Sequence, residues 1–383
     1  MSITAAQGFA AAGIAAGIKA SGKPDLALIQ NLGPRFDAAA VFTSNRVAAA
    51  PVIWSRQAVA DGRLHAVVLN SGGANACTGT PGFQDTVATA EAVARATGCE
   101  TDEVAVCSTG LIGVRLPMDA ILAGVRTAAT ELSPTGGEDA AHAIMTTDTH
   151  AKQALVQCEG YTIGGMAKGA GMLAPALATM LVVITTDAEV SAAELQTCLA
   201  KATSLTFDRI DSDGCMSTND TVLALASGAS GTIPDLDGFT TNLARVSWSL
   251  ARQLIGDAEG AAHDIAVEVT GAASEADALQ VAREIARSNL FKCAIFGNDP
   301  NWGRVLSAVG VTTAAFEPEE LDVTMNGVQV CRAGGVGEPR ELVDLNQREC
   351  HVLVDLHAGD HKATIWTNDL TYDYVKENAE YSS

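Results

Sequence analysis

Short apolar runs alternate with helical patterns along the first half of the chain. The apolar runs predict strands at residues 26–30, 39–43, 66–70 and 103–107. Alanine-rich segments with a period of about 3.6 residues predict helices at 85–97 and 118–132. The run 179–186 is dense in β-branched residues and is the most strand-like segment in the sequence. Strands and helices are therefore interspersed in this half.

The second half adds hairpin patterns to predicted helices. The helices are expected at 192–202, 239–255 and 275–288. Asn326-Gly327 is a preferred type I′ turn pair, which predicts a hairpin of 321–325 with 328–331. A second hairpin is expected from 351–356 and 362–367, around a turn at 358–360. Hairpins without crossover helices indicate antiparallel pairing, so we expect a mixed α/β fold with helices packed on mixed and antiparallel sheets.

The length and composition indicate a folded protein with a large core. The chain has 383 residues, and domains typically contain roughly 100–200, so two domains or one large domain are expected. Hydrophobic residues make up 48%, which excludes a disordered chain. Aromatic residues make up only 4%, so the core must consist mainly of Ala, Val, Leu and Ile.

Charge and cysteine usage limit the possible partners and location. The formal net charge is −21, which argues against binding to nucleic acid or to an anionic membrane surface. The longest apolar run, 172–184, is shorter than the about 18 residues that a membrane span needs. The N-terminus lacks a basic signal-peptide region, and the nine cysteines include no C-x-x-C pair. These features predict a cytoplasmic protein with reduced thiols.

Several familiar motifs can be tested and dismissed. The glycine-rich stretch 164–171 fails the phosphate-loop pattern because Gly169 is followed by Ala170. The stretch 228–232 begins like a nucleophile elbow but has Thr232 where glycine is required. His357 and His361 have metal-ligand spacing, but the Gly-Asp pair between them is typical of a turn. We therefore expect no cofactor and no metal.

The stretch from Lys168 to the strand at 179–186 has two interpretations. One is a glycine-rich, proline-containing loop that enters a core strand, with Thr179 present for its β propensity. The other is self-cleavage between Ala178 and Thr179, which makes Thr179 an N-terminal nucleophile. A threonine hydroxyl needs a base, and an internal residue has only an amide nitrogen. Cleavage would free an α-amine with a pKa of about 7.7–8.0, which can serve as that base.

Seven motifs, taken in order, resemble those of the ornithine acetyltransferase (glutamate N-acetyltransferase) family of arginine biosynthesis. They are Cys107-Ser-Thr-Gly-Leu-Ile-Gly, Met145-Thr-Thr-Asp-Thr, the stretch 168–181, Asp211-Ser-Asp-Gly-Cys-Met-Ser-Thr-Asn-Asp-Thr, Gly256-Asp-Ala-Glu-Gly, Asp299-Pro-Asn-Trp-Gly-Arg and Tyr381-Ser-Ser. The resemblance covers essentially the whole chain and favours the nucleophile interpretation of Thr179.

The resemblance implies a fold, an assembly and a reaction. The fold is expected to be two linked α/β domains related to self-processing N-terminal-nucleophile amidohydrolases. Self-cleavage would give an α chain of residues 1–178 and a β chain of 179–383, with a C-terminal hairpin region at about 320–383. The two chains would assemble as an α2β2 heterotetramer. The implied reaction moves an acetyl group from N2-acetylornithine to glutamate, without a cofactor.

The resemblance also assigns roles to individual residues. Thr179 would be the nucleophile, with its own amine as the base, after cleavage of the Ala178–Thr179 bond. Thr109 and Gly110 would form the oxyanion hole. The implied substrate-binding residues are Thr146, Lys168, Thr179, Glu259, Asn378 and Ser383. Many family members have Asn-Met where this chain has Ala176-Leu177, which leaves the cleavage rate open.

Three other functions fit the sequence. The chain could also make N-acetylglutamate from acetyl-CoA and glutamate, as a bifunctional enzyme. It could be a paralogue that acts on another acyl-amino acid, or an amidase or aminopeptidase. It could also be a non-catalytic α/β binding protein in which Thr179 is only a core strand residue.

Overall fold

The chain forms two compact units. A computed structural model describes residues 3–174 and 180–380. The first unit contains Met1–Asp208 and Cys215–Leu254, and the second contains Arg209–Gly214 and Ile255–Ser383. Both units combine helices with sheets, so the expected mixed α/β fold class is confirmed.

The first unit is built from nine strands and six helices in the described residues. The strands are β1 (Phe9–Ile14), β2 (Leu26–Asn31), β3 (Asp37–Phe42), β4 (Ala66–Asn70), β5 (Val104–Ser108), β6 (Lys152–Gln157), β7 (Thr162–Lys168), β8 (Leu181–Thr186) and β9 (Thr221–Ala226). The helices are α1 (Ala50–Ala58), α2 (Gly79–Thr97), α3 (Met118–Glu131), α4 (Gly137–Ala143), α5 (Ala192–Leu205) and α6 (Leu236–Gly256).

These strands form two sheets. The first has four strands in the order β1-β2-β4-β5, and the second has five in the order β3-β9-β8-β7-β6. Each sheet is antiparallel except for one parallel pair, β4 with β5 and β8 with β9. The parallel pairs lie inside layers of helices, which explains why their strands are continuously apolar.

Side chains alternate between the two faces of each sheet. One face of each sheet packs against the other sheet, and the opposite face packs against helices. Val67 and Leu69 of β4 share a core with Leu181 and Val183 of β8. The intervening residues of β4 face the other way and pack against α2 and α3. On the far side of the second sheet, a Cβ at Gly165 of β7 would lie 2.9 Å from a side-chain carbon of Leu250 in α6. The order of layers is therefore helices, sheet, sheet, helices.

The second unit has one sheet and four helices in the described residues. Its elements are β10 (Asp264–Ala272), α7 (Glu275–Arg287), α8 (Asn289–Phe296), α9 (Trp302–Val309), β11 (Asp322–Met325), β12 (Val328–Arg332), β13 (Gly335–Val336), β14 (Glu349–Asp355), β15 (His361–Asn368) and α10 (Tyr372–Glu380). The strand order is β13-β12-β11-β14-β10-β15. Val267 and Val269 of β10 share a core with Val281 and Ile285 of α7. The opposite faces of β10, β11 and β14 are more exposed, as the alternating burial along them shows.

Most predicted elements are confirmed within a few residues. The helices expected at 85–97, 118–132, 192–202, 239–255 and 275–288 correspond to α2, α3, α5, α6 and α7. The hairpin of β11 and β12 turns at Asn326 and Gly327, whose φ angles are 44° and 86°, as a type I′ turn requires. Among the described residues, no helix is both long enough and apolar enough to cross a membrane.

The second predicted hairpin is wrong. β14 and β15 are both strands, but β10 lies between them, parallel to β14 and antiparallel to β15. The connection 356–360 therefore crosses two strand spacings, about 9.5 Å, instead of one. Five extended residues reach roughly 16 Å, so the same short, turn-forming segment suits either arrangement. The segment's own residues do not distinguish the two.

The glycine-rich stretch 164–171 belongs to a strand up to Lys168. β7 pairs with both β6 and β8, and Gly164 and Gly165 lie inside it. The position of Gly165 leaves no room for a side chain beneath Leu250, so glycine here serves close packing. Lys168 is consequently the last residue of a buried strand and is itself 2% exposed.

Candidate active site

One edge of the five-stranded sheet gathers the ends of three strands. Lys168 at the end of β7 pairs with Leu181 at the start of β8. Leu181 pairs in turn with Thr221 at the start of β9. The chain reaches Leu181 two residues after Thr179, so the predicted nucleophile precedes this edge in sequence. Ala178, Thr179 and Ser383 themselves lie outside the described residues.

Thr109 follows β5 and presents its hydroxyl in a buried position. The residue is 2% exposed, and its backbone N–H donates to the carbonyl of Asn70 at 3.0 Å. The backbone of Thr109 therefore has no hydrogen left for a substrate. Lys168 Nζ donates to Thr109 Oγ1 at 3.4 Å, which leaves the hydroxyl hydrogen to be donated to another oxygen.

Gly110 is required by a close approach of two backbone segments. Its φ angle is 134°, and a Cβ there would lie 2.8 Å from the nitrogen and 2.9 Å from the Cα of Gly73. Thr109 and Gly73 form an isolated antiparallel bridge, which holds the two segments together. Within residues 3–174 and 180–380, the N–H of Gly110 has no recorded acceptor. That N–H and the Thr109 hydroxyl are thus two neighbouring donors of the kind that stabilises an oxyanion.

The carboxylate of Asp148 connects Thr146, which is predicted to bind substrate, with Lys152 and with Gly169, the residue after Lys168. Asp148 Oδ1 accepts hydrogen bonds from Lys152 Nζ at 2.6 Å and from the Gly169 N–H at 2.7 Å. Asp148 Oδ2 accepts the Thr146 N–H at 2.9 Å. The sequence analysis did not single out Asp148, although it lies in the motif that begins at Met145. That position in the motif was the available signal.

Two buried lysines lie close to Asp148 at this edge. Burial alone would raise the pKa of Asp148, but Lys168, Lys152 and the Gly169 N–H together lower it. The side chains of Asp148 and Lys152 are both 0% exposed, and Lys168 is 2% exposed. Two ammonium groups thus accompany one carboxylate in a region of low dielectric constant. Such a region favours a bound anion, for example the α-carboxylate of an amino acid.

Asp220 is a second buried carboxyl group that the sequence analysis did not single out. Its Oδ1 accepts the Met180 N–H at 3.0 Å and its Oδ2 accepts the Ser217 N–H at 3.1 Å. Burial raises its pKa well above the ordinary value, although those hydrogen bonds and the charge of Lys168 oppose the rise. The neighbouring Asn219 donates to the carbonyl of Ser108 at 2.8 Å, which joins this segment to the end of β5.

The motif that begins at Asp211 has residues in both units. Asp211 belongs to the second unit, where its Oδ2 accepts Arg287 Nε at 2.7 Å. Lys292, 5% exposed, donates there to the carbonyl of Ser212, beside a small cavity. Residues 217–220 of the same motif belong to the first unit and lie at the edge described above. One part of the motif is thus structural in the second unit, and the other part lies at the candidate site.

Glu259 and Asn378 meet in the second unit, as their shared predicted role requires. Asn378 Nδ2 donates to Glu259 Oε2 at 3.2 Å. Burial raises the pKa of the nearby Glu377, and the charges of Glu259 and Asp373 add to the rise. This acidic group suits a ligand ammonium, as in an ornithine side chain.

A grouping of possible metal ligands lies away from these residues. The ligand atoms of His65, Cys99 and Glu103 are within 4.8 Å of one another. Each side chain already has a protein partner: His65 contacts Gln30 at 3.1 Å, Cys99 contacts Thr97 at 3.3 Å, and Glu103 pairs with Arg63 at 3.3 Å. These contacts satisfy the grouping without an ion, so we assign no metal site to it.

Two neighbouring donors of the kind that stabilises an oxyanion, beside buried lysines, suit an enzyme that transfers acyl groups of amino acids. Residues 10–383 match the ArgJ family, and the chain belongs to that family.

Known relatives match the chain over its full length. The protein named arginine biosynthesis bifunctional protein ArgJ from Streptomyces coelicolor is 65% identical, with 100% of both chains covered. The protein of the same name from Thermobifida fusca is 60% identical, again with 100% of both covered.

Two solved structures of related proteins each match about half of this chain. An ornithine acetyltransferase from Mycobacterium tuberculosis, in complex with ornithine, is 58% identical over 47% of this chain and 96% of that one, with a TM-score of 0.45. An arginine biosynthesis bifunctional protein from Bacillus halodurans is 37% identical over 51% of this chain and 96% of that one, with a TM-score of 0.49. Together with the family match, the relatives confirm the predicted family and the prediction of an acetyl-transferring enzyme of arginine biosynthesis.

Proposed function

We propose that the chain transfers the acetyl group of N2-acetylornithine to glutamate through an ester on Thr179. The observation that carries this proposal is the meeting of Thr109, Gly110 and Lys168 with the start of β8, which follows Thr179 in the chain. The substrates follow from the family and from the names of its relatives. The Gly110 N–H, the Thr109 hydroxyl and the buried Lys168 support this proposal, because acetyl transfer between amino acids needs oxyanion donors and a group that binds a carboxylate.

Self-cleavage would precede acetyl transfer. Thr179 Oγ attacks the carbonyl carbon of Ala178, its proton passes to the Thr179 nitrogen, and the amide bond breaks to leave an ester. Water then hydrolyses the ester, so that Ala178 gains a carboxylate and Thr179 regains its hydroxyl. The products are an α chain of residues 1–178 and a β chain of 179–383. The new α-amine can accept a proton near neutral pH, as the amide nitrogen could not.

Acetyl transfer would then proceed as a double displacement. Thr179 Oγ attacks the acetyl carbonyl and gives its proton to the Thr179 amine, while the Thr109 hydroxyl and the Gly110 N–H donate to the oxyanion. The C–N bond of N2-acetylornithine breaks, and ornithine leaves with that proton. The amine of glutamate next attacks the ester, and N-acetylglutamate leaves as Thr179 Oγ regains a proton. Water must be kept from the ester, or the enzyme becomes a hydrolase.

Charge complementarity suggests how the substrates are held. Lys168 and Thr146 are proposed for the α-carboxylate that N2-acetylornithine and glutamate share. Glu259 and Asn378 are proposed for the side-chain ammonium of ornithine, and Ser383 completes the set implied by the family. A charge-assisted hydrogen bond of this kind is about twice as strong as a neutral one.

A second activity is supported by the relatives' names, which call those proteins bifunctional. We propose that it is acetylation of glutamate by acetyl-CoA at the same Thr179. Incubation with acetyl-CoA and glutamate, without N2-acetylornithine, should then yield N-acetylglutamate and free CoA. A product that appears only when N2-acetylornithine is added would limit the chain to the transfer reaction.

The proposed assembly is an α2β2 heterotetramer, and the proposed location is the cytoplasm. Size-exclusion chromatography with light scattering would measure a mass near twice that of one 39.3 kDa precursor. A mass equal to that of one precursor would contradict the tetramer.

Replacement of the nucleophile tests the whole proposal. Freshly purified protein should give two fragments that meet at Ala178/Thr179 on a denaturing gel and by intact mass. Thr179→Ala should remain a single chain and transfer no acetyl group, and Thr179→Ser, which keeps a hydroxyl, should still be cleaved. An uncut and inactive wild-type chain would favour a binding protein. Amide hydrolysis without transfer to an amine would favour an amidase or aminopeptidase.

A further inference from the structure

We propose that Asp220 is a positioning residue for self-cleavage, because its carboxyl group fixes the backbone of Met180 and through it the peptide unit of the predicted nucleophile. The inference rests on the proposed function. It assigns a role to a residue that the sequence motifs left without one.

Hydrogen bonds hold both polar groups of the Met180 backbone. Asp220 Oδ1 accepts the Met180 N–H at 3.0 Å, and the carbonyl of Met180 accepts the Thr221 N–H at 3.1 Å. Met180 is 1% exposed and Asp220 is 0% exposed, so water does not compete for these bonds. Asp220 and Thr221 are adjacent in sequence, which makes this a rigid clamp at the start of β8.

The clamp acts on the residue before Met180 through covalent geometry. The Met180 nitrogen is bonded to the carbonyl carbon of Thr179, and the peptide unit that joins them is planar. A hydrogen bond that fixes the N–H therefore restricts the orientation of the whole unit. Small errors in the approach of a nucleophile lower the rate steeply, so a restricted orientation favours attack by the Thr179 hydroxyl.

Asp220 is itself held in place from the other side. Its Oδ2 accepts the Ser217 N–H at 3.1 Å, and its backbone carbonyl accepts the Thr43 N–H at 2.9 Å. The carboxyl group thus faces two N–H donors, one on each oxygen. An asparagine has one acceptor oxygen and one NH2 group, so it cannot accept both hydrogen bonds. Asp220→Asn is therefore a nearly isosteric way to loosen the clamp.

The chain offers a matched control at the other end of the same strand. Asp187 follows β8, is 2% exposed, and also accepts two backbone N–H groups. They belong to Gln7, at 2.9 Å, and Thr162, at 2.7 Å. Asp187→Asn therefore breaks the same kind of bonds with a similar loss of stability. It does so about 20 Å along the strand from Met180.

The test is a time course of self-cleavage of the full chain, pulse-labelled in cell-free translation. The cut fraction is fitted with a rate constant and a final amplitude, and the Tm of each purified variant is measured beside it. We expect Asp220→Asn to lower the rate constant about tenfold or more, as the loss of a buried hydrogen bond does. Asp187→Asn should keep a rate constant within about twofold of wild type. A merely destabilised chain would lose amplitude, because fewer molecules fold, and would keep the rate constant.

Each outcome either supports or contradicts the positioning role of Asp220. An Asp220→Asn chain cut at the wild-type rate, or slowed no more than Asp187→Asn, would overturn the role of Asp220 and leave the proposed function intact. A wild-type chain that is never cut would overturn both. Should Asp220→Asn fail to fold, Ser217→Ala removes the hydroxyl that accepts the Asn219 N–H and so loosens the turn whose Ser217 N–H holds Asp220 Oδ2. That variant should slow cleavage about threefold, and a wild-type rate would contradict the proposal.

Discussion

Replacement of Asp148 by asparagine should destabilise the first unit strongly. The carboxylate is buried between Lys152 Nζ, at 2.6 Å, and the Gly169 N–H, at 2.7 Å, and it also accepts the Thr146 N–H at 2.9 Å. The substitution removes the negative charge that lies 2.6 Å from the buried Lys152 Nζ. Removal of one partner from a buried ion pair costs about 3–5 kcal/mol.

That cost can be followed by thermal unfolding. For a unit of this size, 1 kcal/mol shifts Tm by roughly 2–4 °C, so Asp148→Asn should lower Tm by about 6–20 °C. Folding lowers the pKa of the Asp148 carboxyl group below its unfolded value of about 3.9. The stability that this group contributes is therefore complete above that pH and is lost as the pH falls through the folded pKa. The difference between the two proteins should therefore be constant from about pH 6 to 8 and shrink below about pH 4.

A double-mutant cycle tests the cause. Lys152→Met in the Asp148→Asn background removes the ammonium that the Asp148 carboxylate faces, so the double variant should be less destabilised than the sum of the single variants. Asp187→Asn, which loses hydrogen bonds to backbone groups, should cost about 1.5–3 kcal/mol. An Asp148→Asn variant that loses less stability than Asp187→Asn would contradict this explanation. Strict additivity of Asp148→Asn and Lys152→Met would contradict it too.

Three further predictions concern the site and the surface. Thr109→Val removes the hydroxyl donor and should lower kcat about 100- to 1000-fold with little change in Tm. Thr109→Ser keeps the hydroxyl and should retain most activity. Steady-state rates of acetyl transfer would distinguish the two variants. Glu259→Gln should raise the KM for N2-acetylornithine about tenfold, since an ammonium loses a charged acceptor, and an unchanged KM would remove Glu259 from the substrate site. The hydrogen bond to Asp322 raises the pKa of His357. The stability that protonated His357 contributes is therefore present below the unfolded pKa of about 6.5 and is lost as the pH rises through the folded pKa. His357→Gln should accordingly lower Tm slightly at pH 5.5 and leave it unchanged at pH 8.5.

Local patterns predicted elements well where the residues themselves favour one structure. The run at 179–186 is rich in β-branched residues, and β8 occupies Leu181–Thr186. The strand β1, which consists mostly of small residues, was not predicted. β1 has the sequence Phe-Ala-Ala-Ala-Gly-Ile, which has little β propensity. Its small residues are explained by tertiary packing, because a Cβ at Gly13 would lie 2.0 Å from the carbonyl oxygen of Asp139.

The candidate site was predictable only where a motif carried a known role. Thr109, Gly110, Thr146 and Lys168 came from the resemblance, and the structure places Lys168 against Thr109 and connects Thr146 with Gly169. The contacts of Asp148 and Asp220 depend on residues 21 and 40 positions away in the chain. Sequence periodicity contains no information on such distant pairs. The same holds for the position of β10 between β14 and β15.

The strand order of the five-stranded sheet determines what a cut before Thr179 can do to the molecule. β3, β6 and β7 would belong to the α chain and β8 and β9 to the β chain, so the order β3-β9-β8-β7-β6 encloses the strands of one product between those of the other. Six residue pairs join β7 to β8, and six more join β3 to β9. The two products are thus interleaved and can separate only if the sheet itself unfolds. Neither product contains all five strands of this sheet, so the sheet must form in the uncut precursor.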